Sequence, residues 1–420
     1  MGAAQGLLGE ALVLFDSSPA GSGWNTAVAL DPGELMAQLR GTYSSRIWLG
    51  MVLATTALAW MPAPARGQTL WHAGNFRKLP AVHGNFATTV AGLSHPNAGG
   101  YGTLSASRTQ KFQIFLDGLF TAIDDSLADG DTGDWCGVQA QAAAAGYAVS
   151  RFRDSITGRW FVYGYDTTSF GQAYFFINPF AKRNIVIEVP HEGYDLGTAA
   201  EGARIFTELA ARALIINKEH RCSDPDATAC TGSTGPCADN KPLRQSDVCH
   251  EDRNTFHVLH QHLSDVDGVT KFVQLHGFGG TSTDIAEIAD GTTTDVNASS
   301  VSVLFASKLD TYVPSSSAVD SCQEYAGNPP SALCATNNVQ GRYTNGSADE
   351  CTLGTTSLSN RFLHIEQAAT LRDTDASDGY SSDDVRNAIR DTWPTCNMNN
   401  GATDCNLGAA QTDYSNLSCP

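Results

Sequence analysis

The stretch that decides the fold covers residues 183–217 and reads RNIVIEVPHEGYDLGTAAEGARIFTELAARALIIN. Its apolar run Asn184–Val189 is typical of a buried strand, and the apolar spacing in Thr198–Arg212 predicts an amphipathic helix capped by Thr198. Ala213–Asn217 is a second strand-like run. A strand, a helix and a strand in this order favour parallel pairing, because parallel neighbours need a crossover connection. The sequence therefore predicts an α/β fold with a mixed, largely parallel sheet flanked by helices.

The chain on either side of this unit predicts further helices and strands. Residues 68–155 form a predicted N-terminal helical layer, in which Thr109–Leu127 repeats apolar residues at helical spacing. The aromatic-rich stretches Arg159–Tyr165 and Gln172–Ile177 predict a β-hairpin. Later elements are predicted in the order helix 250–263, strands 271–276, 301–306 and 361–367, and helix 382–393. Together they predict one catalytic domain, residues 68–420, with a disulfide-rich insertion and tail.

Residues 1–67 are predicted to be a leader outside this domain. A basic stretch from about residue 36 precedes the apolar run Ile47–Trp60 and a small-residue exit at 62–67. This order is that of a secretory signal peptide, and the apolar run is short and quickly broken for a membrane span. An N-terminal anchor is the alternative. The expected location is secreted, periplasmic or extracellular.

Net charge and cysteine content limit the partners and the cellular compartment that we expect for this protein. The formal net charge of -18 argues against a nucleic-acid or anionic-membrane partner. All 11 cysteines follow the leader, which predicts disulfides formed in an oxidising compartment, with at least one thiol unpaired. The alternative is a structural zinc cluster formed by Cys222, Cys230, Cys237 and Cys249, whose spacing lacks the short C-x₂₋₄-C motif of such sites.

Three predicted strands end in side chains that suit a metal site. Asn184–Val189 leads to His191, with Asp195 four residues on, and the strand at 271–276 ends in His276. Because ligands of open α/β sheets bind at the carboxyl ends of strands, we expect these side chains to meet. Two imidazoles and one carboxylate form a common catalytic zinc set that leaves a position for water. The pattern predicts a zinc hydrolase with these three residues as metal ligands.

A fourth residue, Glu366, is the candidate general base. A zinc hydrolase needs a carboxylate that takes the proton from the attacking water and passes it to the leaving group. Glu366 arrives on the strand at 361–367, two positions after His364 and on the same face. The two side chains therefore point together, either into the site or into the core.

Other polar residues near the strand ends are candidates for supporting roles. A helix over 250–263 would place His250, Asn254 and His257 on one side, with His250 at the mouth of the cleft. A solvated polar face is the alternative for these histidines. Arg221 follows a strand and could hold a substrate carboxylate through two hydrogen bonds, or pair with a surface acid.

His276 and Gly277 allow a different function. His-Gly-x-Gly is also the oxyanion-loop motif of lipases and esterases, which require a G-x-S-x-G nucleophile elbow. The chain has no such elbow. A serine esterase and a non-catalytic, metal-binding extracellular module remain the alternatives to a zinc hydrolase.

Several of these residues also carry a family resemblance. The block Val189–Thr198, with Glu201, His220-Arg221, Ser246-Asp247 and Gln274–Gly277, resembles the N-formylglutamate amidohydrolase and poly-γ-glutamate hydrolase families. Both belong to the zinc carboxypeptidase-like superfamily, and the resemblance covers roughly residues 183–375. It implies the zinc carboxypeptidase-like fold and the activity of a zinc-dependent amidohydrolase or peptidase. Glutamyl or other carboxylate-bearing amides are the candidate substrates. The expected partner is thus a small-molecule, peptide or polymer amide, with no nucleic acid and no stable membrane partner.

The resemblance also implies a ligand set. In the poly-γ-glutamate hydrolases a His, a Glu before a Pro-Gly-Thr turn and a later His before Gly bind zinc. That pattern implies His191, Asp195 and His276 as the ligands here. Asp stands in place of Glu and the loop is one residue shorter, so Glu192 and Glu201 remain alternatives for the carboxylate ligand.

The superfamily pattern implies two further roles. Zinc carboxypeptidases place a general-base Glu on a late strand, which is the place of Glu366 in chain order. Arg221 and Arg372 are the implied candidates for recognising a substrate carboxylate.

Overall fold

The structure is a computed structural model that describes most of the chain after residue 82. The described residues are 83–84, 86–93, 101–128, 135–168, 170–217, 219–234, 237, 241–279, 284–294, 296–314, 318–324, 333–372 and 381–395. All of them belong to the compact unit Leu70–Pro420. The predicted leader with its signal peptide, and the predicted disulfide-rich tail beyond residue 395, lie outside the described residues.

One ten-stranded sheet organises the described residues. Its strands are β1 (His83–Gly84), β2 (Tyr147–Asp154), β3 (Trp160–Asp166), β4 (Tyr174–Ile177), β5 (Arg183–Val189), β6 (Ala211–Ile216), β9 (Lys271–Gly277), β10 (Asp284–Ala289), β11 (Ala318–Ser321) and β12 (Phe362–Gln367). Their order across the sheet is β1-β2-β3-β4-β6-β5-β9-β12-β10-β11. Two short strands, β7 (Ser233–Thr234) and β8 (Lys241–Pro242), form a separate ribbon.

Eight helices accompany the sheet within the described part of the chain. They are α1 (Phe86–Ala91), α2 (Ala106–Ala128), α3 (Trp135–Ala145), α4 (Thr198–Glu208), α5 (Thr255–Asp265), α6 (Val301–Asp310), α7 (Val339–Thr344) and α8 (Ser382–Thr392). Helices α1, α4, α6 and α8 share one buried apolar cluster with the sheet, and α2, α3 and α5 share another. Because alternate strand residues enter the two clusters, these helices cover opposite faces of the sheet. Within the described residues, none of the helices is both long and apolar enough to span a membrane.

The expectation of a mixed α/β sheet is confirmed, but a largely parallel sheet is not. Strands β6, β5, β9 and β12 run parallel to one another at the centre. Strands β2, β3, β4 and β6 pair antiparallel, as do β12 and β10. In the ten-stranded sheet of the described residues, five neighbouring pairs are therefore parallel and four antiparallel. The antiparallel part includes the predicted hairpin, formed by β3 and β4.

Two local predictions, the strand at 301–306 and the N-cap of α4, were wrong. The strand predicted at 301–306 is the start of α6, where Val301, Phe305 and Leu309 are buried at helical spacing behind the N-cap Ser300. Helix α4 has Gly197 rather than Thr198 as its N-cap.

The cysteine-rich insertion is held by disulfides. Bonds join Cys222 to Cys237, Cys230 to Cys351 and Cys322 to Cys334. Cys249 is free and buried. The alternative of a structural zinc cluster at Cys222, Cys230, Cys237 and Cys249 is therefore wrong, since three of its four thiols are oxidised.

Candidate metal centre

The carboxyl ends of the central parallel strands bring the predicted site residues together. His276 on β9 is the direct register partner of Glu366 on β12, so both side chains lie on the same face of the sheet. His191 follows the end of β5, which neighbours β9. All three side chains are buried, with at most 8% of any of these residues exposed. This face is the one covered by α5 rather than by α4.

A tight turn after β5 returns Asp195 to His191. The backbone N–H groups of Tyr194 and Asp195 both donate to the carbonyl oxygen of His191, at 2.7 and 2.6 Å. Gly197 then adopts a left-handed φ of 96°, which a glycine reaches without steric cost, and starts α4. The turn therefore sets the carboxylate of Asp195 beside the imidazole four residues earlier.

One carboxylate oxygen faces both imidazoles. Asp195 Oδ2 lies 3.4 Å from His276 Nδ1 and 3.7 Å from His191 Nδ1. Both Nδ1 atoms are buried and lack a hydrogen-bond partner among the described residues. Two orphaned ring nitrogens and a carboxylate oxygen at these separations are unusual for a hydrogen-bonded core, where buried polar atoms are normally paired.

Each of the two separations from Asp195 Oδ2 is close to that between ligand atoms on a tetrahedral metal. The donor sets here whose atoms all lie within 4.8 Å of one another are His191 with Cys249 and His276, and His276 with His364 and Glu366. Zinc bonds nitrogen and oxygen ligands at about 2.0–2.2 Å, which places two ligand atoms of a tetrahedron roughly 3.3–3.6 Å apart. Burial and the nearby His191 lower the pKa of His276 to about 4, so its imidazole is neutral and keeps a lone pair. Burial favours the protonated form of Asp195, but its contacts to His191 and His276 lower the pKa of the carboxyl well below the usual range. Both donors are therefore in the protonation state that a cation requires.

The far nitrogen of each imidazole is held by a buried partner. His191 Nε2 lies 2.9 Å from Asp247 Oδ1, and His276 Nε2 lies 3.0 Å from Gln274 Oε1. Such contacts direct the Nδ1 lone pair of each ring toward the site. Burial and Arg221 oppose protonation of His191, yet Asp247 and Asp195 raise its pKa overall. A proton on Nδ1 of His191 would thus compete with a metal ion.

Arg221 and His250 both meet Asp247. The guanidinium of Arg221 donates to Asp247 Oδ2 from Nε at 3.0 Å and from Nη2 at 2.6 Å. His250 Nδ1 lies 2.9 Å from Asp247 Oδ1. Burial would raise the pKa of Asp247, but Arg221, His250 and His191 hold it well below its usual range. The structure therefore places Arg221 and His250 around the carboxylate that supports His191, with 12% and 19% of their side chains exposed.

The predicted helix at 250–263 is shorter than expected. Helix α5 begins at Thr255, and the side chain of Asn254 caps it by accepting from the backbone N–H of His257 at 2.7 Å. His250 lies in the preceding turn, so the expectation that His250, Asn254 and His257 share one helical face was wrong. His257 and His260 are buried rather than solvated.

Glu366 and His364 point into the site together. Their closest atoms, His364 Nε2 and Glu366 Oε1, lie 3.7 Å apart, and the ring of His364 lies 4.3 Å from that of His276. One donor atom from each of His276, His364 and Glu366 falls within 4.8 Å of the others. Burial, with repulsion from Asp195, raises the pKa of Glu366 to about 8. Burial and the neighbouring histidines hold the pKa of His364 well below its usual range.

The alternative carboxylates are directed elsewhere. Glu192 Oε2 accepts from the backbone N–H of Ala199 at 2.7 Å, at the N-terminus of α4, where a negative charge is favourable. Glu201 Oε2 accepts from Gln367 Nε2 at 3.0 Å. Gln367 follows Glu366 on β12 and so points to the opposite face of the sheet. Of the three candidate carboxylates, Asp195 is the one beside both imidazoles.

Arg372 lies over the glycine that follows His276. A Cβ atom at Gly277 would lie 2.0 Å from Arg372 Nη1, so the guanidinium occupies the space that a side chain would fill. Its Nη1 donates to the carbonyl oxygen of Leu196 at 3.0 Å. Arg372 is only half-buried, so a cation sits at the edge of the site between β9 and the loop that carries Asp195.

Sequence reasoning missed the support given by three residues. The sequence identifies Asp247 and Gln274 only as parts of family-like motifs, and Cys249 only as a member of the alternative zinc cluster. In the structure Cys249 Sγ lies 3.3 Å from Gln274 Oε1 and 3.8 Å from His276 Nε2. The signal available in the sequence was an Asp close before the cysteine and a Gln two residues before His276, a spacing that places Gln and His on one strand face.

Comparison with known proteins returned one distant similarity. No family model matches the chain, and no curated protein matches it. A crystal structure described as "Putative carboxypeptidase A", from Shewanella denitrificans OS-217, is 13% identical in sequence, with a TM-score of 0.28. The match covers 58% of this chain and 62% of that one. The resemblance to the N-formylglutamate amidohydrolase and poly-γ-glutamate hydrolase families stays a prediction.

Proposed function

We propose that this protein is a secreted zinc-dependent amidohydrolase or peptidase that cleaves an amide bond. One observation carries the proposal: the buried, unpartnered Nδ1 atoms of His191 and His276 both face Asp195 Oδ2. This donor set, with a spare carboxylate nearby, is the chemistry of a catalytic zinc site.

The residues at the site have different proposed roles. A zinc ion held by His191, Asp195 and His276 would polarise the scissile carbonyl and lower the pKa of water to about 7. Glu366 accepts the proton of the attacking water and delivers it to the leaving nitrogen. Its buried position makes it a stronger base than an exposed glutamate, and a nearby cation favours its ionised form.

The substrate is proposed to carry a carboxylate near the scissile amide. Arg221 is engaged by Asp247, which leaves Arg372 as the cation at the edge of the site. A half-exposed guanidinium with one hydrogen bond to Leu196 has donors to spare for a planar carboxylate. We propose glutamyl or similar amides, as small molecules, peptides or polymers, and no nucleic-acid or stable membrane partner for a chain of charge -18. The disulfides support secretion.

Metal analysis combined with a substrate screen tests this function. We expect one zinc per chain and hydrolysis of N-acyl amino acids, γ-glutamyl polymers or muropeptides that stops on chelation and returns with zinc. Zinc binding without turnover would favour the non-catalytic module. Turnover that ignores chelators would favour a serine esterase.

Two substitutions separate the proposed ligand from the proposed base. Asp195→Ala should weaken zinc binding, because it removes a direct bond to the ion. Glu366→Gln should retain a full equivalent of zinc and lose about 10²–10⁴-fold in kcat, the usual contribution of a general base. Glu324→Gln is the matched control, since Glu324 is exposed and outside the site, and should leave kcat near wild type. Wild-type turnover by Glu366→Gln, or full zinc occupancy in Asp195→Ala, would overturn the assignment.

A further inference from the structure

A buried polar layer lies behind the candidate metal centre and explains the histidines of α5. Glu188 on β5 and Gln274 on β9 are register partners, so they share a sheet face with His276. His260 reaches this layer from α5. Each of these three residues behind His276 has 0% exposure, although two can carry charge. Groups of this kind are costly to bury unless they are fully paired.

The layer forms a continuous hydrogen-bonded chain. From His276 Nε2 it passes to Gln274 Oε1 at 3.0 Å, and from Gln274 Nε2 to Glu188 Oε2 at 3.1 Å. Glu188 Oε1 then meets His260 Nδ1 at 2.7 Å, and His260 Nε2 meets Thr344 Oγ1 at 2.7 Å. The chain spans the end of β9, the middle of β5, helix α5 and helix α7.

The donor and acceptor roles along these hydrogen bonds fix the tautomer of His276. A carboxylate oxygen of Glu188 accepts from Gln274, so the amide nitrogen of Gln274 faces Glu188. The amide oxygen of Gln274 then faces His276, and Asn338 Nδ2 donates to the same oxygen. His276 must therefore carry its proton on Nε2, which leaves the lone pair on Nδ1 beside Asp195.

We propose that Gln274, Glu188 and His260 are positioning residues that orient His276 as an Nδ1 ligand. The inference rests on the proposed metal site, but it assigns a role that the site itself does not require. His260 belongs to the support of the centre and is not a ligand. Loss of Gln274 frees the ring to rotate or to take the opposite tautomer, which would put a proton where the metal binds.

The test uses full-length secreted protein and zinc as the probe. Gln274→Met should lower zinc affinity about 10–100-fold in chelator competition, the usual effect of losing such a partner. Gln323→Met is the matched control, because Gln323 is also buried and hydrogen-bonded but lies beside Ser302, on α6. In the metal-free protein, ¹⁵N-histidine NMR should find the proton of His276 on Nε2 in wild type and in Gln323→Met, and a changed tautomer ratio in Gln274→Met.

A second pair of variants tests His260, near the end of the hydrogen-bonded chain that is farther from His276. His260→Leu should weaken zinc binding, whereas His260→Asn should largely restore it, because the Asn amide can replace Nδ1 toward Glu188. Equal zinc affinity for wild type, Gln274→Met and His260→Leu would overturn the proposal, as would an unchanged tautomer in Gln274→Met. Since the tautomer is read without metal, a wild-type protein that binds no zinc would refute the proposed function but leave this measurement decisive.

Discussion

Replacement of Glu201 by Gln should change how stability depends on pH. Burial is the main reason that the pKa of Glu201 rises to about 8 in the folded protein, whereas the pKa of this side chain in the unfolded chain is near 4.5. Gln367 Nε2 donates to Glu201 Oε2, while Glu201 Oε1 and Gln367 Oε1 are both buried without a partner among the described residues. A proton on Oε1 would complete the contact as a neutral acid–amide pair.

The sign and size of the effect follow from linkage. Below pH 4.5 both folded and unfolded chains bind the proton, so the native pair is fully stable. Between about pH 4.5 and 8 the unfolded chain releases the proton first, so the free energy of unfolding falls as pH rises. A shift of this size corresponds to a loss of up to about 5 kcal/mol at alkaline pH. Glu201→Gln keeps both hydrogen bonds without a titrating group and should escape that loss.

Urea unfolding at pH 5, 7 and 9 measures this directly. We expect Glu201→Gln and wild type to be similar at pH 5, and the variant to be more stable by a few kcal/mol at pH 9. The same substitution at exposed Glu324 controls for the removal of one negative charge. A difference between Glu201→Gln and wild type that stays constant from pH 5 to 9 would refute the idea of a neutral Glu201.

Three further predictions concern the surroundings of the site. Asp247→Asn should lower zinc affinity about 10–100-fold in chelator competition, because His191 loses its carboxylate partner and Arg221 its counter-ion; unchanged affinity would contradict this. Cys249 should resist iodoacetamide in the folded protein and react once on unfolding, as read by mass spectrometry, since burial raises the pKa of its thiol; rapid labelling of the native chain would exclude the buried thiol. Replacing Cys230 and Cys351 by Ala should lower the free energy of unfolding by about 4–5 kcal/mol, because that bond closes a loop of 121 residues. A change below 1 kcal/mol would argue against the bond.

The elements that position the site were predictable because they are regular. The run Ile185–Val189 is apolar except for Glu188, and all its residues are buried, as expected for a central strand covered on both faces. The amphipathic pattern of α4 and the strand ending in His276 were likewise visible, so the meeting of His191, Asp195 and His276 followed from a general rule about strand ends. The sequence pattern is sufficient to predict a helix or strand whose apolar residues repeat with one clear period.

Other features depend on partners far away in the chain. Strand β10 inserts between β12 and β11 and pairs antiparallel with β12, which no pattern within Asp284–Ala289 indicates. The buried state of His257 and His260 depends on Glu350 and Glu188, some 93 and 72 residues away. The sequence of a histidine-rich helix favours a solvated face, because it does not show which distant acids will pair with the histidines. Burial of polar residues is thus the part of the site that sequence patterns describe least well.

The environments of three carboxylates argue for one division of labour at the site. Asp195 lies between two imidazoles, which keep it ionised and make it the natural partner of a cation. Glu366 lies close enough to Asp195 that burial and the charge of Asp195 favour its protonated form, and a nearby positive charge would reverse this. Glu201, on the other face of the sheet, keeps a raised pKa because burial outweighs the hydrogen bond from Gln367 and the charge of Arg372. Environments that push neighbouring carboxyl groups in opposite directions support the proposed roles of Asp195 as ligand and Glu366 as base. On this proposal, a metal bound by Asp195 would also ionise Glu366, so that the base becomes active only when the metal is present.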